Sequence, residues 1–390
     1  MTKNDSHKLD TKLVHTGRKP EDYHGIVNPP LVRASTIIAP SLEVYQDTSR
    51  KYRYGRMGTP LSHAFEESMA ELEGGFKAIA TCSGLSAITP AILSFLKTGD
   101  HLLMVDNVYG PVRDFCNHLL TRMGVEVEFY DPLIGAGIEK LCKANTAVIY
   151  MESPGSGTFE VQDVPSICKV AKGKGIVTIV DNTWSAGLLF RPLEHGADVV
   201  IQSATKYVGG HADVNLGVIV VGKEEHFHAV RQTTWDMGIT ASGDDLYGGL
   251  RGLRTMSLRM KHACEQGMDM ALWLQKRPEV EKVFYPALPG HPGHEVWKRD
   301  FSGANGLLSF ALKDGYDKGA VSRFVNGLKL FPLGASWGGY ESLLQPQSPQ
   351  NFRKHPEWSH QGQVLRLQIG LEDMADLKAD LEQAFKELKA

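Results

Sequence analysis

Apolar residues follow different rhythms along the chain. Between residues 59 and 250, short and nearly continuous apolar runs alternate with stretches of helical period. The runs cover 78–81, 102–105, 125–130, 147–151, 176–180, 199–201 and 216–221. A strand without polar alternation is one covered on both faces. Thr59-Pro60 opens a helix that carries Leu61, Phe65, Met69 and Leu72 on one side and closes at Gly74-Gly75. A second helix is predicted over 86–97, stopping at Gly99. This alternation predicts an α/β architecture with a mostly parallel, doubly wound sheet.

The flanks differ. Residues 1–58 show no clear period and many turn residues, among them Asn28-Pro29-Pro30 and Ala39-Pro40. They read as an extended arm, which a chain keeps when it has a surface to pack on. Toward the C-terminus, helical stretches at 256–275 and 373–388 flank strand candidates at 307–312 and 365–369. That pattern predicts a smaller C-terminal α+β domain. The expected division is an arm over 1–58, a main domain over 59–252 and a C-terminal domain over 253–390.

Composition narrows the function classes. Among 390 residues, 42 basic and 45 acidic side chains leave a formal charge of −3. Without Lys/Arg blocks, a nucleic acid or an anionic membrane is not expected as a partner. No apolar run approaches the ~20 residues that cross a bilayer. The polar start, MTKNDSHKLD, has no apolar segment of signal-peptide type, so a cytoplasmic location is expected. Cys82, Cys116, Cys142, Cys168 and Cys264 are scattered and form no CxxC, as expected of reduced thiols. His226 and His228 could share one face of a strand and bind metal, although surface or core histidines are the plainer reading, and no metal is expected.

In an open parallel sheet, ligands bind beyond the carboxyl ends of the strands. After the run at 176–180 comes Asp181-Asn182-Thr183-Trp184, and after 199–201 comes Gln202-Ser203-Ala204-Thr205-Lys206. The run at 102–105 is followed by Asp106 and Tyr109, and 78–81 by Cys82-Ser83-Gly84-Leu85 at a helix start. Together these parts suit pyridoxal 5′-phosphate (PLP). That cofactor requires a lysine amine for its aldehyde and an acid for its pyridine nitrogen. Its phosphate requires N–H and hydroxyl donors, which Gly84, Leu85, Ser203 and Thr205 can supply. Tyr109 can stack on the ring. Singly, each has a plainer reading: Lys206 a solvated charge, Asp181 a turn residue, Gly84 a helix cap.

The segments Ser203-Ala204-Thr205-Lys206-Tyr207 and His211-Ala212-Asp213 resemble the lysine signature of the Cys/Met-metabolism PLP enzymes. So do Tyr54-Gly55-Arg56, Glu152-Ser153-Pro154, Asp181-Asn182-Thr183-Trp184 and Arg251-Gly252-Leu253-Arg254-Thr255. The likeness runs in consistent order from Thr11 to the C-terminus. It implies the PLP-dependent aminotransferase-like fold (fold type I). Within the family, the stretch from Ser336-Trp337-Gly338-Gly339 to Ser342 resembles the bacterial branch that β-eliminates cystathionine. The γ-lyases and γ-synthases usually have Leu where this chain has Trp337.

The resemblance implies residue roles. Lys206 would hold PLP and move protons, Asp181 would pair with the pyridine nitrogen, and Tyr109 would stack on the ring. Gly84, Leu85, Ser203 and Thr205 would bind the phosphate, joined by Tyr54 and Arg56 from a neighbouring subunit. Arg366 would hold the substrate carboxylate, with Ser336 and Trp337 lining that pocket. A homo-oligomer follows, a dimer or a dimer of dimers with shared sites. The implied activity is cleavage of L-cystathionine to L-homocysteine, pyruvate and ammonia, a carbon–sulfur lyase step of methionine biosynthesis. The sister activities are cystathionine γ-lyase, γ-synthase and broader cysteine desulfhydrase. Two departures stand out: Met57 where some relatives have a second Arg, and Leu85 where Met is common.

Two readings from other classes compete. Gly334-Ala335-Ser336-Trp337-Gly338 matches GxSxG, the nucleophile turn of serine hydrolases, with Glu341 or Glu357 and His360 as the available partners. The preceding Pro332 and the distance from the main sheet argue against it. The other is a phosphate-compound-binding regulatory protein without turnover, against which stand both Lys206 and Asp181.

Overall fold

The computed structural model describes residues 7–355, 358–360 and 362–388. Among these described residues, eleven strands form two sheets. β1 (Lys77–Thr81), β2 (His101–Val105), β3 (Glu126–Tyr130), β4 (Thr146–Glu152), β5 (Val177–Asp181), β6 (Val199–Gln202) and β7 (Gly217–Val221) make a seven-stranded sheet in the order β1-β7-β6-β5-β4-β2-β3. β7 alone runs antiparallel to its neighbours, so the sheet is mostly parallel as the pattern predicts. β8 (Val280–Phe284), β9 (Leu307–Leu312), β10 (Leu343–Gln347) and β11 (Val364–Gln368) form a smaller antiparallel sheet in the order β10-β11-β9-β8.

The helices are α1 (Leu9–His15), α2 (Leu42–Gln46), α3 (Pro60–Glu73), α4 (Gly84–Leu93), α5 (Gly110–Phe115), α6 (Val164–Lys174), α7 (Glu224–Asp236), α8 (Gly243–Leu274), α9 (His294–Asp300), α10 (Lys318–Gly327) and α11 (Met374–Phe385). Thr59 and Ser62 cap α3 reciprocally, each hydroxyl accepting the other's N–H, and Pro60 sits where no N–H is needed. Leu61, Phe65, Met69 and Leu72 of α3 are buried, and Gly74 ends the helix in the left-handed conformation. Full burial of such side chains contributes about 1.5–3 kcal/mol each.

The large sheet has a core on each face, which is why its strands lack polar alternation. Val199 and Ile201 join one cluster with Phe227 and Val230 of α7. Val200, between them, joins a second cluster with α3 and with Leu246, Leu250 and Met256 of α8. Helix α8 starts 13 residues before the predicted stretch at 256–275. Its capping serine, Ser242, and the first-turn Asp244 and Asp245 fit a helix start. Its glycines hide the pattern but have a packing reason: a Cβ on Gly252 would lie 2.1 Å from the Val208 carbonyl oxygen. Helix α8 runs past position 252 and joins the layers of the two sheets.

Two strands escape the sequence pattern. β8 interrupts its apolar residues with Glu281 and Lys282, and β10 carries Pro346, which an edge strand tolerates. The 226–228 region is helical, not a strand. His226 and His228 are two positions apart on α7, so their side chains diverge; His226 packs against Phe95 while His228 is exposed. Among the described residues no helix is long and apolar enough to cross a membrane.

Ile149 is fully buried on central β4. Ile149→Ala is expected to lower unfolding stability by about 2–5 kcal/mol, read from the urea midpoint. An unchanged midpoint would contradict its placement in the core.

Candidate active site

The parallel register gathers the predicted residues on one rim. Glu152 ends β4 opposite Asp181 at the end of β5, and Asp181 lies opposite Ile201 on β6. The chain leaving β6 therefore carries Ser203, Thr205 and Lys206 out beside Asp181. Asp106 to Tyr109 leave the same edge from β2, and the turn Ser83-Gly84 leaves it from β1.

One end of the rim suits an anion. Ser83 and Ser86 cap α4 reciprocally. The helix's first N–H groups, those of Gly84 and Leu85, have no acceptor inside the helix and carry its positive dipole end. A Cβ on Gly84 would stand 2.7 Å from Ser203, so only glycine lets the helix start come this close. The Thr205 hydroxyl bridges Leu216, donating to its carbonyl and accepting from its N–H at 3.1 and 2.9 Å. Ser203 Oγ has no such engagement among the described residues, which makes it the freer hydroxyl.

The middle holds two opposite charges that are not paired. Asp181 is buried, and its Oδ1 accepts from the N–H and hydroxyl of Thr183 at 3.0 and 2.5 Å. Thr183 Oγ1 in turn accepts the N–H of Ser203 at 2.8 Å, which ties the acid to the lysine turn. Burial pushes the Asp181 carboxyl up, with Thr183 pulling the other way. Lys206 Nζ donates to Ser336 Oγ at 2.8 Å and lies 5.6 Å from the centre of the Trp337 ring. Burial, with Arg366 nearby, pushes its amine down to about 8, and Asp181 opposes the shift. Among the described residues neither Asp181 nor Lys206 is in a salt bridge. A buried carboxylate without a cation is costly, and a cationic pyridine nitrogen would supply what it lacks. The donor set, the unpaired acid and the Gly84 cradle thus fit PLP.

At the other end, Arg366 on β11 donates to the carbonyl oxygens of Ala335 and Ser336 at 3.1 and 3.2 Å. Burial holds its guanidinium down at about 10, offset by Tyr109. Among the described residues it has no carboxylate partner, so it suits an incoming one. The loop carrying Ser336 and Trp337 is pinned against the lysine. Gly338 has a φ of +80°, and a Cβ there would stand 2.9 Å from the Tyr207 nitrogen. Ser342 at the loop's far end donates through its N–H and hydroxyl to Glu372.

Tyr54 and Arg56 are not part of this group. Both are exposed and line a cavity of about 490 Å³ with Arg231 and Trp235, where Arg56 donates to the Trp235 carbonyl. Among the described residues the serine-hydrolase arrangement does not form: Ser336 Oγ meets Lys206, whereas His360 meets Glu281 at 3.1 Å and packs on Phe284 and Trp358. Glu341 is exposed, and Glu357 lies outside the described residues.

Glu152 stands on the same rim, and the sequence motifs assign it no role. Its Oε2 accepts the Tyr109 N–H at 2.8 Å and its Oε1 accepts from Ser156 Oγ at 2.5 Å. Burial and then the Asp181 charge push its carboxyl up to about 8. The signal was present in the chain, an acid ending an apolar strand, the same signal that exposed Asp181.

A profile of the Cys/Met metabolism PLP-dependent enzymes matches residues 10–386. A cystathionine beta-lyase MetC from Escherichia coli is 40% identical over 97% of this chain and 98% of its own. A Rhizobium johnstonii protein provisionally named cystathionine beta-lyase is 47% identical over 97% of this chain and 96% of its own. The structure of a cystathionine gamma synthase from Xanthomonas oryzae pv. oryzae, in complex with aminoacrylate and cysteine, superposes with a TM-score of 0.89. It is 30% identical and covers 98% of this chain and 99% of that one.

In the cofactor-free protein, Lys206 should be the lysine that an amine-acylating reagent modifies fastest. Its rate should rise with pH and level off above about pH 8, as mapped by peptide mass spectrometry. Labelling that tracks an ordinary exposed lysine would contradict the buried site.

Proposed function

This chain belongs to the Cys/Met-metabolism PLP-dependent enzymes, and from that premise we propose that it cleaves L-cystathionine by β-elimination. It is a PLP-dependent carbon–sulfur lyase, and the products are L-homocysteine, pyruvate and ammonia. The observation that carries the reading is the amine of Lys206, held at Ser336 Oγ between an unpaired buried acid and an unpaired guanidinium.

Lys206 would hold the cofactor's aldehyde carbon. Asp181 would hold its pyridine nitrogen, Tyr109 would cover its ring, and Gly84, Leu85, Ser203 and Thr205 would receive its phosphate. PLP, when bound, supplies the electron sink that makes the α-proton of an amino acid removable. Arg366 holds the substrate α-carboxylate and so fixes which bonds face the lysine. Ser336 accepts one hydrogen of Lys206 Nζ, keeping its amine near the reacting carbons. Lys206 Nζ takes the proton from Cα and gives one to the sulfur as the Cβ–S bond breaks. The thiol product is homocysteine, and the three-carbon fragment becomes pyruvate and ammonia after water adds. The free Lys206 amine sheds its proton as pH rises through about 8, so activity should climb across that range.

Trp337 supports β- over γ-chemistry. It packs on Tyr207 at 5.6 Å between ring centres and fills space beside the lysine. γ-Elimination needs a second proton removal at Cβ, and room for it.

The assembly is a homo-oligomer with shared sites, minimally a dimer. Residues 1–58 form the arm that reaches the neighbour, 59–252 the cofactor domain and 253–390 the C-terminal domain. In support, Ile26, Val27, Ile38, Leu42 and Tyr45 of the arm are exposed apolar side chains. Tyr54 and Arg56 stand outside their own chain's rim, as donors to a neighbour's phosphate would. The near-neutral charge and the lack of a membrane-crossing helix among the described residues agree with a cytoplasmic enzyme whose ligand is a small amino acid.

Incubation with L-cystathionine should yield pyruvate and homocysteine. Formation of 2-oxobutyrate and cysteine would replace this reading with γ-lyase activity. Asp181→Asn should lower kcat at least about a hundredfold. Arg366→Lys should lower kcat/KM about a hundredfold, mainly through KM, because one ammonium cannot reproduce the two-pronged bond.

A further inference from the structure

Behind the rim lies a carboxylate that the mechanism does not use. Glu73 is the last residue of α3 and is fully buried. Both of its oxygens accept from Asn182 Nδ2, at 3.0 and 3.1 Å, and Oε1 also accepts from Gln202 Nε2. Asn182 follows Asp181 at the end of β5, and Gln202 precedes Ser203 at the end of β6. One carboxylate therefore ties together the ends of the two strands that carry the acid, the phosphate hydroxyl and the lysine.

The rest of the packing makes this tie rigid. Asn182 Nδ2 also donates to the Phe190 carbonyl at 2.9 Å, and its Oδ1 accepts from Ser185 Oγ. Its backbone N–H donates to the Ile201 carbonyl at 2.8 Å. Gly187, with a φ of +68°, lets the following turn pass against Glu73; a Cβ there would lie 3.0 Å from its carboxyl. Arg191 and Glu194, whose charges act on it in opposite directions, pair with each other at 3.0 Å, and Glu73 is in no salt bridge among the described residues. Burial accordingly pushes its carboxyl up to about 7 against the pull of the two amides.

Burying an acid without a cation costs stability. A device needed only for packing would be served by an apolar side chain. What the carboxylate offers is acceptors alone, and both facing amide groups donate. We propose that Glu73 is a positioning residue for the cofactor cradle, setting the spacing between Asp181 and the Ser203–Lys206 turn through Asn182 and Gln202. This rests on the PLP reading above and acts wholly within this chain.

The test uses PLP itself. Rates of PLP loss from the holoenzyme and the Kd on titrating PLP back are measured alongside the melting temperature of the cofactor-free protein. Glu73→Gln puts an N–H₂ among donors and should raise the Kd about tenfold. Glu73→Gln/Gln202→Glu reverses donor and acceptor in the pair while leaving Asn182 its acceptor, and should bring the Kd back to within about twofold of wild type. Gln202→Met, which removes one donor and keeps Glu73, should weaken PLP in the same direction if Glu73→Gln fails to fold. A lowered melting temperature with an unchanged Kd in these variants would overturn the proposal, as would a double variant no better than Glu73→Gln. Wild-type protein that binds no PLP would instead overturn the cofactor reading.

Discussion

The site depends on strand register. Because β4, β5 and β6 pair in parallel, their carboxyl ends emerge on one edge, with Glu152 opposite Asp181 and Asp181 opposite Ile201. Side chains alternate between faces, so a one-residue slip of β6 would swap Val200 and Ile201 between two apolar cores. The hydrophobic burial that stabilises the sheet is therefore what aims Lys206 toward Asp181. No loop has to find that geometry by itself, and the cores of both sheet faces hold it.

On that frame the protein leaves charges open. Asp181, Lys206 and Arg366 are each withdrawn from water to some degree, and none is in a salt bridge among the described residues. Each is shifted in the direction burial dictates: the acid up, the lysine to about 8, the arginine to about 10. Such an arrangement is costly without ligands and favourable with a cofactor and substrate of complementary charge. The lowered lysine suits the base proposed for it, because a base that acts near neutral pH must release its proton there. Trp337 and the Gly338 turn pack beside that amine and its backbone.

Much of this was legible in the chain. Continuous apolar runs gave the parallel sheet, and what followed each run gave Asp181, Lys206, Tyr109 and the Gly84 turn. The helix start at Gly84 was legible, but the reciprocal Ser83–Ser86 cap that opens it came only with the structure. The missing parts have physical causes. Glycines in α8 serve close packing and look like helix breakers. Pro346 in β10 is acceptable only because that strand lies at an edge. The two-residue spacing of His226 and His228 suggested a strand face, but the segment is helical. Thr205 is a donor by residue type, yet its hydroxyl is engaged by Leu216, a contact between segments that no local pattern reveals. Glu73 likewise looked like the end of a helix, and its role depends on strands more than a hundred residues away.

Lys206 on this rim is the proposed covalent anchor of the cofactor. Its most direct test is reduction of the purified PLP-loaded enzyme with borohydride, followed by digestion and mass spectrometry. The pyridoxyl adduct should fall on the peptide that contains Lys206 and on no other. An adduct on a different lysine, or a protein that takes up none, would contradict it.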